Sequence, residues 1–539
     1  MFRILIGCIY WLVSVSILSA QDGSQQRIKI LATANTYAAI QPVDPYSLAP
    51  ANRGWARLLP TLMAERDNSS ATFIIDCGDS LQGEPMAYIQ NRMRPTVSNP
   101  IINIMNNAGY MAMVPGASDF NFGLPWLKVA ERQARFPFIA ANIFDSAGRE
   151  IFRPFVKTTV NGVSVAFLGL FVPAAPKTDV PGMNVRDAME VALEWVPRLR
   201  VAERADLVIA VMHTGSVGTY IVPDDRNRAR LLAEKVAGID GIIASQGLQP
   251  LCAVHRGIPI AQPAPFGQSL ASITFSLQRR GGRWSVLSAS PSIILTDQSN
   301  ALDPLVMQIT EQARTDEANY LNTFATQLET NLDGRWSTVE PTPIVQLLHE
   351  VQKRATGAQL SAVPSPGQHI FIPKGATSVR QFYSLAPDEN RIARIRITGA
   401  QLRTYLEHAA RYFNLSYMPE LINKSVPLAD YDMVGGCSYS LDISRPVGRR
   451  VNDLKYGGED IQDSQVFTMA ISTYRLAGGG GYMDAIGFRG QPEMISQETM
   501  RNSLLEYVLS KPTLNISAPT LWRTIPFLDR ERVLAAYSN

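Results

Sequence analysis

The stretch Phe73-Ile74-Ile75-Asp76-Cys77-Gly78-Asp79-Ser80-Leu81-Gln82-Gly83-Glu84-Pro85 decides the fold. Its apolar start, Phe73 to Ile75, suits a buried parallel strand, and Gly78 permits a sharp turn after it. Asp79 is thereby expected just beyond the carboxyl end of a strand, where open α/β sheets place their binding sites. A lone Asp-Gly pair is an ordinary turn. Its weight depends on what stands at matching places along the chain.

Upstream, Arg27–Thr33 reads as a first strand, with Asn35 and Tyr37 at its end. Trp55 to Glu65 has helical spacing. Downstream, Pro100 to Gly109 looks helical and Met111–Val114 is a short strand running into Gly116-Ala117-Ser118-Asp119-Phe120-Asn121-Phe122-Gly123. Phe136–Ala141 and Val163–Val172 read as strands, Asp187–Ala205 as a helix, and Asp206–Met212 as a strand leading to His213. Arg226–Ala237 is helical, Gly241–Ala244 a strand, and a hairpin turns at Arg280–Gly282. This strand, loop, helix alternation predicts α/β layers. Leu302 to Leu328 carries a long helical pattern, read as a connector. A second domain follows, with helices over Pro343–Thr356 and Gly399–Phe413 and strands over Ile392–Ile397, Ser438–Ile443 and Val466–Ile471. It holds the glycine run Gly478 to Gly481.

The whole chain bounds the reading. It has 539 residues, 46% hydrophobic and 18% charged, enough for two or three cored domains. A net charge of +3 without a Lys/Arg-rich run gives no reason to expect a nucleic-acid polymer as partner. Residues 1–20 have the build of a signal peptide: Arg3, an apolar run to Leu18, then Ser19-Ala20. The expectation is a periplasmic protein, monomeric and without stable membrane insertion once the leader is cleaved. Beyond Cys8 in the leader stand Cys77, Cys252 and Cys437, spaced for neither zinc nor a disulfide framework and read as buried free thiols.

Several stretches together resemble a family. They are Leu31-Ala32-Thr33, Asn52 to Arg57, Asp76 to Gly83, Gly116 to Gly123, Ala140 to Ile143, Gly238-Ile239-Asp240, Thr398-Gly399 and Tyr474 to Tyr482. In order and spacing they are similar to the bacterial periplasmic 5'-nucleotidases and 2',3'-cyclic-nucleotide 2'-phosphodiesterases. The resemblance implies a metallophosphatase-type four-layer α/β sandwich over residues 27–297, a connecting helix over 298–337 and an α+β 5'-nucleotidase C-terminal domain over 338–511, with 512–539 a surface tail. It also implies a phosphoester hydrolase in nucleotide catabolism, with two divalent metal ions activating a water.

Carried over residue by residue, the family's metal ligands are degraded. Its bridging Asp is Asp79 and a later His is His213. Its first Asp falls on Asn35, the following His on Tyr37, the ligand Asn on Ala117, the catalytic His on Ser118 and the closing pair on Gln246 and Leu248. Asn35 and Gln246 could offer a neutral oxygen; Ala117 and Leu248 offer nothing. Two dications bring four positive charges against one inherited carboxylate. Either no metal or a weakly held single divalent ion is expected, unless Asp44, Asp76, Glu84 or Asp119 is recruited. Ser118 with His213 and Asp79 could instead form a serine nucleophile with a base.

In the second domain the resemblance implies that a nucleobase is gripped between two aromatic rings, matched to Tyr474 and Tyr431, with Gly478, Gly479 and Gly480 letting the backbone approach. Nucleotide-binding arginines correspond to Arg391 or Arg394. Three readings stay open. One is a nucleotide- or nucleoside-binding, weakly active or inactive homologue. The second is an active divergent metallophosphoesterase, and the third an interaction protein with vestigial pockets.

Overall fold

The structure, a computed structural model, describes residues 23–68, 71–94, 97–173, 182–214, 228–245, 249–299, 301–367, 370–519, 521–528 and 530. The leader expected over residues 1–20 lies outside them. Among the described residues, no helix is long and apolar enough to cross a membrane.

The first domain is built on two sheets. In one, the strands run in the order Arg283–Leu295, Ser269–Arg280, Gln25–Thr33, Thr72–Asp76, Ala112–Met113. In the other, the order is Leu251–His255, Ile258–Gln262, Gly241–Ser245, Leu207–Thr214, Val163–Val172, Phe155–Val160. In the first sheet Gln25–Thr33, Thr72–Asp76 and Ala112–Met113 run parallel, with Ser269–Arg280 antiparallel beside them; in the second the four inner strands are parallel. All eight residues of Leu207–Thr214 are buried, as a strand covered on both faces requires. Ile30, Ile75, Phe167, Val211 and Ile273 fill the space between the sheets. Trp55, Leu58, Ile101 and Met105 cover one outer face, and Val191, Val196 and Leu232 the other. Helix, sheet, sheet and helix make the expected four layers.

Local chemistry sets the element ends. Helix Pro100–Ala108 starts on a proline, its first amides capped by the Asn99 side chain, and stops at left-handed Gly109. Phe136–Ala141 forms only isolated bridges, Met113 with Phe138 and Ile139 with Arg153, rather than the strand expected. The connector also departs from expectation. Pro304–Ile309 and Glu311–Leu321 are separate helices, and Phe324–Leu328 is a strand paired with Gly375–Ser378 and Thr513–Leu514. Thr310 returns its hydroxyl to the Val306 carbonyl and closes the first helix. Past Asn322, pairing with the second domain overrides the helical pattern.

The second domain centres on a sheet ordered Asp432–Gly435, Leu360–Pro364, Val466–Ser472, Arg391–Thr398, Met494–Thr499. Residues 512–539 are not simply a surface tail. Trp522–Ile525 adds a parallel strand to Ser438–Asp442, and Trp522 is 4% exposed against Tyr439. Cys77 and Cys437 are buried thiols, but Cys252 is exposed, on an edge strand.

The domains meet at an aromatic seam. Tyr46 stacks on Tyr383 at 6.1 Å, and the Arg501 guanidinium lies over both Tyr88 and Tyr383. Tyr88 donates to Asn502 at 2.9 Å, and Arg380 donates to the Pro45 carbonyl.

Candidate functional site

The fold brings Asn35, Tyr37, Asp79, Ala117, Ser118 and His213 to the carboxyl ends of the parallel strands. Four positions in and beside the site are strained. Asn35, Tyr37, Ala38 and Asp79 all have φ between 51° and 59° without being glycine. Such residues cost roughly 1–3 kcal/mol each and persist where surrounding structure fixes them. Here the backbone does so: Asn35 N–H donates to Gly78, Tyr37 N–H to Asp79, and Glu84 N–H to Tyr37.

The two retained ligands are turned inward. His213 is buried, and its Nδ1 donates to the Cys77 carbonyl at 2.8 Å. That leaves Nε2 as the acceptor, and the Ala117 amide donates to it at 3.2 Å. Asp79 Oδ1 accepts from the Ser118 amide at 2.7 Å, and Oδ2 lies 3.6 Å from His213 Nε2. Gly116 makes this closeness possible. A β carbon there would stand 2.3 Å from Asp79 Oδ1 and 2.7 Å from the His213 ring. Ser118 meets Asp79 through its amide, and His213 Nε2 accepts from the Ala117 amide rather than from the serine hydroxyl.

The replacement positions join the same network. Asn35 Oδ1 accepts from Ser245 Oγ at 2.8 Å. The Tyr37 ring packs on Phe266 at 5.1 Å, and burial, then the Asp79 charge, pushes its hydroxyl well up. Gln246 and Leu248 lie outside the described residues.

None of the four carboxylates considered as recruits points at this pair. Asp44 binds its own loop at Tyr46 and Ser47. Glu84 pairs with Arg53. Asp76 accepts from Thr33 Oγ1 at 2.6 Å, Ser80 Oγ at 2.7 Å and the Gly78 amide at 2.9 Å. Asp119 accepts from the amides of Asp79, Gly116 and Leu81 at 2.8–2.9 Å. These last two aspartates hold the loops in place. The sequence reading gave Asp119 no such role, although it lies in a quoted motif. Among the described residues, no grouping of three or more His, Cys, Asp or Glu is placed to hold a metal ion.

Burial pushes the Asp76 carboxyl up to about 7 against its three hydrogen bonds, and pushes Glu84 up to about 8 against the pull of Arg53. Both groups titrate near 4 in an unfolded chain. Between those values and about pH 8 the folded state binds more protons, and stability falls as pH rises. Urea unfolding is expected to show stability roughly 1–3 kcal/mol higher at pH 5.5 than at pH 8.5. A stability that rises across that window would contradict this.

On the second domain, the expected aromatic pair is split. Tyr431 is 1% exposed and stacks on Tyr412 at 4.7 Å, with Phe413 edge-on; it is a core residue without a free face. Tyr474 is half-buried. The glycine run wraps the protein's own groups. A β carbon on Gly479 would meet the Tyr474 ring at 2.3 Å, and one on Gly480 would meet Arg475 and Asp430 at 2.7 Å. Arg475, missed in the sequence reading, bonds Asp430 at 2.7 Å and Asp432 at 2.9 Å, and its guanidinium lies over Tyr474 and Tyr482. Arg394 is paired with Glu493, and Arg391 is exposed. Burial raises the Tyr474 hydroxyl as it does that of Tyr37, and the Asp388 charge pushes both in the same direction.

Comparison with known proteins agrees with this architecture. Residues 319–486 match the 5'-nucleotidase, C-terminal domain family. The trifunctional nucleotide phosphoesterase protein YfkN of Bacillus subtilis is 26% identical over 93% of this chain, which spans 39% of that protein's length. A 2',3'-cyclic-nucleotide 2'-phosphodiesterase/3'-nucleotidase of Yersinia enterocolitica is 23% identical over 87% of this chain and 83% of its own. Among solved structures, a 5'-nucleotidase precursor from Thermus thermophilus covers 93% of this chain and 99% of its own, with a TM-score of 0.65 at 17% identity.

Proposed function

As a relative of the bacterial 5'-nucleotidases and 2',3'-cyclic-nucleotide phosphodiesterases, this chain starts from a phosphoesterase scaffold, and we propose that it is an exported nucleotide- or nucleoside-binding member in which hydrolysis has been lost. One observation carries the reading. The donors that would face a metal are spent on the Gly116–Ser118 loop, with the Ala117 amide on His213 Nε2 and the Ser118 amide on Asp79 Oδ1. A zinc site needs three or four protein ligands. Here two remain, one carboxylate is set against two dications, and the catalytic His position is Ser118. The residues present do not fit a metal pair, and no hydrolytic step is derived through one. The strained Asn35–Ala38 loop supports retention of a ligand-facing backbone after the donors changed.

Binding would rest on Tyr474, whose ring offers a sequence-tolerant stacking surface. The test is metal content after loading the mature chain with manganese or zinc, together with assays on a generic phosphodiester and on adenosine nucleotides. Less than one tightly held ion per chain and no turnover are expected. About two ions with turnover would establish an active divergent metallophosphoesterase instead.

Adenosine is expected to raise the melting temperature, with stabilisation following RT ln(1 + [L]/Kd). Tyr474→Ala should weaken binding by about 1–3 kcal/mol, the worth of one stacked base. No shift with any nucleoside or nucleotide would leave the interaction-protein reading in its place.

A further inference from the structure

A cavity of about 100 Å³ lies at the seam, where the loop after Tyr37, the connector helix Glu311–Leu321 and the second domain meet. Its polar lining is Gln41, Glu84, Glu317, Arg314 and Arg380, with Ile40 and Met86 among its apolar walls. Water takes about 30 Å³ in the liquid, and drug-sized pockets run from about 300 Å³. The space suits a small ion and is too small for a nucleoside.

The lining sets two arginines against two glutamates, and Arg53 behind it lies between Glu84 and Asp44. Glu84 is matched by Arg53. Arg314 is held by neutral oxygens, Thr310 Oγ1 at 3.2 Å and the Met307 carbonyl at 3.0 Å. Arg380 is likewise held by the Pro45 carbonyl and Asn322 Oδ1. Each guanidinium has further N–H groups to give. Opposing these two cations is Glu317, which makes no ion pair within 4.0 Å among the described residues. Burial pushes its carboxyl up to about 7, although the Met86 backbone and the nearby arginines pull it down. The lining therefore combines unused guanidinium donors with one carboxyl that can accept a hydrogen bond.

We propose that this cavity binds hydrogen phosphate, an oxyanion that still carries a hydroxyl, with Arg314 and Arg380 donating to its oxygens and Glu317 accepting from its P–OH. Sulfate has the same shape and charge but no proton to give at neutral pH. Beside an ionised Glu317, as above about pH 8, it would set oxygen against oxygen, so there the site should discriminate between the two anions. This assignment is independent of hydrolysis and of the Tyr474 surface.

Isothermal titration calorimetry of the mature chain at pH 8.5 and low salt, where the Glu317 carboxyl is ionised, tests it, with inorganic phosphate, sulfate and glycine as titrants. Phosphate should bind one per chain, at least tenfold tighter than sulfate, and saturating adenosine should leave that titration unchanged. Arg314→Met should weaken phosphate at least tenfold. Glu317→Gln, whose amide can still accept from Met86 and can donate to sulfate, should bring the two anions within about threefold. Thermal melts with and without phosphate report on the same site if Arg314→Met is too unstable to titrate. Equal affinity for both anions in the unaltered chain, glycine binding without phosphate binding, no phosphate binding, or a phosphate affinity indifferent to both substitutions would each overturn the assignment.

Discussion

Asp119→Ala is expected to remove about 3–5 kcal/mol from the unfolding free energy, more than any other single carboxylate change in the first domain. The side chain accepts from three buried amides, those of Asp79, Leu81 and Gly116. Each buried donor left without a partner costs about 1–3 kcal/mol. Part of that loss is returned, because burial and the Asp79 charge hold the Asp119 carboxyl well above its usual range, and the substitution relieves this strain. Asp79→Ala orphans only the Ser118 amide and should cost about 1–2 kcal/mol. Equilibrium urea unfolding of both variants measures the order. Were Asp79→Ala the more damaging, the loops would be held by something other than Asp119.

That ordering shows where sequence reading reached and where it stopped. The run Phe73–Ile75 and the turn at Gly78 were legible because a strand buried on both faces is apolar throughout, and a left-handed turn favours glycine. The alternation of such runs with helical spacing made α/β layers legible, and the family resemblance supplied their number. The fate of the site was legible only as a subtraction. Ala117 and Ser118 stand where donors are expected, but nothing local says that their amides close on His213 and Asp79. That closure depends on Gly116 meeting a histidine almost a hundred positions later. Asp119 and Asp79 look alike as letters, and only the direction of three amides separates a bracket from a ligand. Tyr431 shows the converse error. An aromatic ring in a recognition segment and one in a core have the same sequence signal, and the stacking on Tyr412 decides between them. The connector was misread past Leu321 because the strand that follows is stabilised by partners from Gly375–Ser378 and Thr513–Leu514, far away in sequence.

Arg475→Met should have the largest effect in the second domain, about 3–5 kcal/mol, together with loss of nucleoside binding. Arg475 is 3% exposed, and its guanidinium satisfies Asp430 and Asp432, which are themselves 9% and 2% exposed. Removing one partner of a buried charge pair leaves the other uncompensated, and this costs far more than the pair contributes. The damage should spread to the binding surface, because the same guanidinium lies 5.3 Å from the Tyr474 ring centre and 4.8 Å from that of Tyr482. Tyr474→Ala, by contrast, should lose binding with less than about 2 kcal/mol of stability, since its ring is only half-buried. The triple variant Asp430→Asn, Asp432→Asn, Arg475→Met removes the charges as a set and should recover much of the stability, as neutral replacement of buried ion networks does elsewhere. It should not recover binding, because the surface under Tyr474 is still gone. Urea unfolding and adenosine titration of the three variants separate these terms. An Arg475→Met protein that unfolds at the unaltered midpoint would mean that the buried carboxylates find other partners, and the network would then be incidental to the Tyr474 surface.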